Sequence, residues 1–222
     1  MKNGADSMSE LIIWTLDWVP KGPRGFVRDL RLRWACEEAG LPYSVRIIPF
    51  DGRETNHLPR QPFGQVPYLD DGELKLFESG ACLLHLARKS EKLMPQDAVG
   101  KVATEQWVIA ALNSIEMVTV PWWFLQISGQ KDNALGEWVD NRLAQLEAVL
   151  AIRDWLAADR FTVADLIMAD VLRVAKLRAH GDRPATEAYV KRVTARPAFQ
   201  KAHADQIAHF AMADKDRPQS HQ

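Results

Sequence analysis

The sequence predicts two parts, a small α/β domain built on a mixed four-stranded sheet followed by an all-helical domain. Three observations carry this. Strand and helix patterns alternate from Leu11 to about Lys92, an Asp71-Gly72 turn separates two brief apolar runs, and strand patterns are scarce from about Gly100 onward. The polar stretch "SEKLMPQDAVG", Ser90 to Gly100, holds a proline and a glycine and reads as the joint, which gives domains at 11–90 and 100–211 around a linker at 91–99. Residues 1–10 and 212–222 are expected to be flexible tails.

The elements follow in order. "LIIWTL", Leu11 to Leu16, is an unbroken apolar run and reads as a buried strand. "GFVRDLRLRWACEEAG" places Phe26, Leu30 and Trp34 at four-residue steps before a Gly40 stop, the pattern of a helix. Tyr43 to Ile48, "YSVRII", alternates as a second strand, and a strand-helix-strand unit sets its strands parallel. "VPYLD" and "LKLF" flank Asp71-Gly72-Glu73 as an antiparallel hairpin. Ala81 to Ala87 then forms a second helix, so the order is βαβ followed by ββα. In the second half, Trp107, Ala111 and Ser114 share a helical stripe, and Pro121 is an expected kink before Trp122, Trp123 and Phe124. Leu135, Val139, Leu143, Leu146 and Leu150 make a core-facing helix, and Thr162 with Asp165 forms a capping-box pattern ahead of Leu166, Ile167 and Val171.

Composition narrows the function. With 222 residues, 47% hydrophobic and 26% charged, the chain is long enough for real cores, and a formal net charge of -1 supplies no field to attract nucleic acid or an acidic membrane. The polar start "MKNGADSMSE" offers no secretory segment, and no run of about 18 apolar residues is present to span a bilayer. We therefore expect a cytoplasmic protein without nucleic-acid or membrane partners. Cys36 and Cys82 lie in apolar-periodic segments without metal spacing, so they read as core residues and no metal site is expected.

The end of the hairpin is the unusual place. Ser79 is a preferred N-cap residue, and Glu78 stands just before the helix, so two side chains and the first backbone N–H groups converge. The helix start and the hydroxyl favour an anion, while the carboxylate favours a cation. A ligand with an ammonium and a carboxylate on one carbon fits such a spot. Across the hairpin, Pro67 at a strand start suits an edge or a special backbone geometry, and a cis Val66-Pro67 bond costs only about 0.5–1 kcal/mol. Such a bond turns the Val66 N–H and C=O outward, where an extended peptide can pair with them.

At these residues the chain resembles the glutathione S-transferase family. "PFGQVPYLDDGELKLFESGACLLHLA" is similar to that family's glutathione-site region, and "FTVADLIMADVL" to the capping segment of a core helix in its second domain. The resemblance, weaker elsewhere, spans about Leu11 to Ala211 and implies a thioredoxin-like first domain. It also implies that Glu78 and Ser79 hold the γ-glutamyl end of glutathione and that Val66 pairs with the cysteinyl unit. Gln65 matches a further contact, and Arg53 falls near the place where basic residues meet the glycyl carboxylate; a histidine found there in some classes is absent, with His57 a few residues later. A twofold homodimer is implied as well.

The departure lies after the first strand. Family enzymes usually place a serine, cysteine or tyrosine there, whereas this chain has "WTLDWVPKGPRGFVRDLR", with Gly22 to Gly25 around the expected position and Thr15 pointing into structure. Bringing a thiol from a pKa of about 8.5 to about 6.5 takes about 2.7 kcal/mol of preferential thiolate stabilisation. Backbone N–H groups at a helix start supply roughly 0.3–2 kcal/mol of it, and Arg24 is the candidate for the remainder. Trp18, Trp107, Ser114 and Trp122, drawn from a chain with eight tryptophans, are candidates for the walls of a pocket for a small hydrophobic electrophile.

Three classes of function remain. One is an enzyme with glutathione as co-substrate that adds its thiolate to an electrophile or reduces a peroxide. A thiol-disulfide oxidoreductase wants a cysteine at the end of the first strand, and Cys36 lies too far along the helix to serve. A binding or regulatory protein of the same fold is favoured by the missing hydroxyl and opposed by the intact Val66, Glu78 and Ser79.

Overall fold

The structure is a computed structural model, and it describes residues 10–52 and 59–217. Arg53 and His57 lie outside the described residues, as do residues 1–9 and 218–222. Strand β1 (Leu11–Leu16) leads through a loop to α1 (Asp29–Ala39), β2 (Tyr43–Ile48), β3 (Tyr68–Asp71), β4 (Leu74–Phe77) and α2 (Ser79–Ala87). The sheet order is β2-β1-β3-β4, with β1 parallel to β2 and antiparallel to β3, the mixed arrangement that βαβ followed by ββα requires. Gly72 takes the positive φ, 59°, that the two-residue turn demands. Gly40 closes α1 in the left-handed region, its N–H bonded to the Cys36 carbonyl.

Phe26 departs from the helical reading. It stands in the loop before α1 and is 44% exposed, because α1 begins only at Asp29. The helix itself is buried nearly all round, wedged between the sheet, α2 and two helices of the second domain. Its charges survive burial by pairing: Arg33 Nε lies 2.7 Å from an Asp29 carboxylate oxygen, and Arg196 Nε lies 2.6 Å from Glu38.

The second domain contains α3 (Ala98–Ala110), a π-helical segment (Ala111–Glu116), α4 (Met117–Ile127), α5 (Gly136–Leu150), α6 (Val163–Leu172), α7 (Ala175–Arg178), α8 (Pro184–Thr194), α9 (Pro197–Met212) and a 3-10 turn (Ala213–Asp216). Asp97 caps α3 by accepting the Gly100 N–H at 2.7 Å, so this helix starts within the last residues of the expected linker. The capping box forms: Thr162 N–H donates to Asp165 Oδ2 at 2.9 Å, and the Tyr189 hydroxyl donates to Asp165 Oδ1 at 3.0 Å. Val139, Leu143, Leu146 and Leu150 face the core from α5.

Among the described residues one helix, Ala98–Ile127, is long and apolar enough to cross a bilayer by length and composition, although its sequence is broken by Asn113, Ser114 and Glu116 and holds no continuous apolar run of that length. One side of it packs within the second domain, and Glu116 reaches α1. Just after Met212, Asp214 and Arg217 bond to the loop after β1.

Candidate functional site

The hairpin register builds the site. Tyr68 pairs with Phe77 at the open end of β3 and β4, so the residues just beyond, Val66-Pro67 on one side and Glu78-Ser79 on the other, are neighbours. The Val66-Pro67 peptide bond is cis, and Pro67 precedes β3, an internal strand, without entering it. Glu78 has φ 66° and ψ 120°, a left-handed conformation that an L residue with a Cβ adopts at a cost of order 1–3 kcal/mol. It serves as the N-cap of α2 through its backbone, its carbonyl accepting from Cys82 N–H at 3.0 Å, while its exposed side chain makes no capping bond. Ser79, expected at the cap, is instead the first helical residue and is buried.

A small depression joins these residues: Arg28, Gln61, Gln65, Val66, Pro67, Glu78 and Ser79 line it together. Gln61 is buried, and its Oε1 accepts the N–H groups of Phe63 at 2.6 Å and Gln65 at 3.2 Å, which fixes the loop leading to the cis bond. Gln61 and Arg28 escape a reading of the sequence. Arg28 is recognisable only once the turn before α1 is placed, because its side chain crosses to the second domain, where Nη2 donates to Glu116 Oε1 at 3.0 Å.

Behind Ser79 lies a buried ion network. Arg31 Nη1 donates to Ser79 Oγ at 3.0 Å, Nη2 to Glu116 Oε1 at 2.6 Å, and Nε to Asp170 Oδ2 at 2.6 Å. Arg173 continues it, bonding Asp170 Oδ1 at 2.8 Å and the Gly25 carbonyl. Burial alone would raise the Asp170 carboxyl, but Arg173 and Arg31 outweigh it and hold the group below its ordinary value.

Arg24 does not join this cluster. Its Nε and Nη2 donate to the Val19 carbonyl at 3.1 and 3.0 Å, and Nη1 donates to Asp214 Oδ2 at 2.8 Å. The Arg24 hydrogen bond, with one from Trp18, holds the Asp214 carboxyl well below the usual carboxylate range. Arg24 therefore latches the C-terminal turn to the loop, with Nε and both terminal nitrogens engaged there. Trp18 is buried, with Nε1 donating to Asp214 Oδ1 at 2.8 Å, and Trp122 is buried with its ring 4.6 Å from that of His180. Neither forms an open wall. Trp107 is half-buried against the core, and Ser114 is half-buried in the π segment. Thr15 is fully buried, as expected of a residue pointing into structure.

A larger surface depression, about 620 Å³, lies elsewhere, along Arg33, Glu37, Tyr43, Lys201 and Asp205, and holds none of the candidate residues. It is a shallow trough. We give more weight to the hairpin end, where left-handed backbone, a cis bond and converging charges coincide.

Two family models match the chain: the N-terminal domain of glutathione S-transferases over residues 22–88 and the C-terminal domain over residues 115–197. Among curated relatives, glutathione S-transferase 1 of Zea mays is 34% identical over 157 residues, covering 61% of this chain and 70% of the relative. Glutathione S-transferase 4 of Zea mays is 30% identical over 189 residues, 75% of this chain and 83% of the relative. In fold, the chain is similar to a glutathione transferase family member from Pseudomonas fluorescens with two glutathione bound, with a TM-score of 0.76 at 23% identity over 90% of this chain and 95% of that one. A theta class glutathione S-transferase from Xanthomonas axonopodis pv. citri with glutathione bound gives a TM-score of 0.74 at 23% identity over 90% of this chain and all of the other.

Proposed function

Because this chain belongs to the glutathione S-transferase family, we propose that it is a glutathione-dependent transferase whose tripeptide lies along the hairpin end from Val66 to Ser79. The observation that carries this is the left-handed Glu78 beside Ser79 and the cis Val66-Pro67 bond, in one depression with Arg28. Glu78 takes the ammonium of the glutamyl unit, Ser79 and the start of α2 take its carboxylate, and the Val66 backbone pairs with the cysteinyl unit. Gln65 borders the same groove. Arg28 replaces Arg24 as the cation beside the thiol, since one of its ends is held by Glu116 while its side chain stays 40% exposed. The second substrate is a small hydrophobic electrophile or a peroxide.

A homodimer fits the apolar surface. Phe63, Leu74 and Phe77 are exposed on the first domain, and Ile109, Met117, Val120, Phe124 and Ile127 are exposed on the long helix of the second. A twofold arrangement that sets each patch on the other covers both. Sedimentation at micromolar concentration should give twice the chain mass; a monomer overturns the dimer.

A binding protein is the second reading, favoured by the absence of serine, cysteine and tyrosine from Asp17 to Arg28. Thiol consumption with a panel of electrophiles and organic peroxides separates the two. Turnover with any of them supports the transferase, whereas glutathione binding without turnover across the panel supports the second reading.

A further inference from the structure

Arg31 is fully surrounded by protein, yet it touches the candidate site through one atom, Ser79 Oγ. A serine hydroxyl has one proton and two lone pairs, and a guanidinium has no acceptor, so Arg31 must occupy a lone pair of Ser79 and leave the proton to point elsewhere. Among the described residues no acceptor takes that proton. The remaining Arg31 donors go to Glu116 in the π segment and Asp170 in α6, both in the second domain. Arg31 thus belongs to α1 of one domain, is held by two carboxylates of the other, and fixes the hydroxyl that faces the ligand.

We propose that Arg31 is a positioning residue for the amino-acid end of glutathione: it aims the Ser79 proton at the glutamyl α-carboxylate, and the second domain sets that aim through Glu116 and Asp170. This rests on the reading of Glu78 and Ser79 as the holders of that end. Arg28, Arg31 and Arg173 pair with only Glu116 and Asp170, so the depression and the buried network beneath it together carry one positive charge in excess, which the half-exposed Arg28 supplies. An anionic oxygen at Ser79 is favoured by that excess, and Glu78 supplies the opposite sign for the ammonium.

A double-mutant cycle tests it, with calorimetry on the full chain and two probes: glutathione and its analogue with the glutamyl α-carboxylate as an amide. Arg31→Lys keeps the charge but cannot reach three partners at once. It should weaken glutathione binding about tenfold when Ser79 is present and by less than about twofold in Ser79→Ala, with little change for the amide in either. Equal weakening in both backgrounds, or equal weakening for both probes, makes Arg31 merely structural and overturns the proposal. Should Arg31→Lys fail to fold, Glu116→Gln is run through the same cycle, with the same dependence on Ser79 expected and the same equality fatal. Failure of the unmutated chain to bind glutathione at all would instead remove the site reading beneath it.

Discussion

Two corners of the first domain flank the depression, and they are built differently. The hairpin end, Val66 to Ser79, is made by backbone: a cis bond, a turn at Gly72 and a left-handed Glu78. The loop from Asp17 to Arg28 is made by side chains reaching far along the sequence, with Arg24 bound to Asp214 and Arg217 bound to Asp17. A corner made of backbone is specified by its own residues. One made of distant partners changes meaning with what arrives, which is how Arg24 becomes a latch while Arg28, four residues later, reaches the site.

The largest expected effect strikes both corners at once. Asp170 holds Arg31, which bonds Ser79, and Arg173, which bonds Gly25. Asp170→Asn leaves two buried guanidinium groups short of a counter-charge and should cost about 3–5 kcal/mol in urea unfolding. The pH dependence has a definite sign. A carboxylate held below its ordinary value stabilises the fold above the unfolded pKa, about 3.9, and that contribution disappears as pH falls through the lower folded value. The difference between wild type and Asp170→Asn should therefore be flat from about pH 5 to 8 and shrink only in stronger acid. Shrinkage near pH 6 to 7 would assign the coupling to a histidine, and His203 is the neighbour to examine next.

Within the hairpin corner, Glu78→Ala and Ser79→Ala should each weaken glutathione binding by roughly 10- to 150-fold, since charge-assisted contacts are worth about 1.5–3 kcal/mol. Folding should be nearly unaffected by Glu78→Ala because its side chain makes no capping bond. Calorimetry on both variants checks this, and unchanged affinity in both would empty the corner of its assigned role.

How much of this is legible in the sequence follows from the same contrast. The Asp-Gly turn, the Thr162 capping box and the Gly40 stop are local, with cause and consequence within a few residues, and both domains can be read from such signals. The grouping of Val66, Gln65, Glu78 and Ser79 is legible because a hairpin brings its own ends together. Arg31 bonds partners 85 and 139 residues away, and Arg24 one 190 residues away, so neither role is written nearby. The tryptophans mislead for a related reason: aromatic mass is equally suited to a core and to a pocket, and Trp18 and Trp122 went to the core.

The loop corner gives a smaller, split effect. Arg28→Ala should raise the thiol pKa of bound glutathione by about one, because a nearby cation favours the thiolate over the thiol. Arg24→Ala should leave that pKa and the affinity nearly intact and lower Tm instead, by releasing Asp214 and the turn that carries it. Titration of thiolate absorbance and a melting curve on each variant separate the two. A thiol pKa that follows Arg24 would return the catalytic role to the latch.

The smallest expected effect is none, and it concerns the cysteine in the helix that leaves each corner. Cys36 lies near the end of α1 and Cys82 in the first turns of α2, three residues beyond Ser79. Burial pushes each thiol up to about 12, with Glu37 adding to it at Cys36. Near pH 7 the thiolate fraction is then on the order of one in 10⁵, too little for nucleophilic attack or disulfide exchange. An alkylating reagent should modify neither cysteine in the native protein and both after unfolding, as read by mass. Slow labelling of Cys82 alone would mean that the first turn of α2 opens, so that the backbone-built corner is the looser of the two. Labelling of Cys36 alone would place the weakness in α1 and in the long-range pairs that hold it.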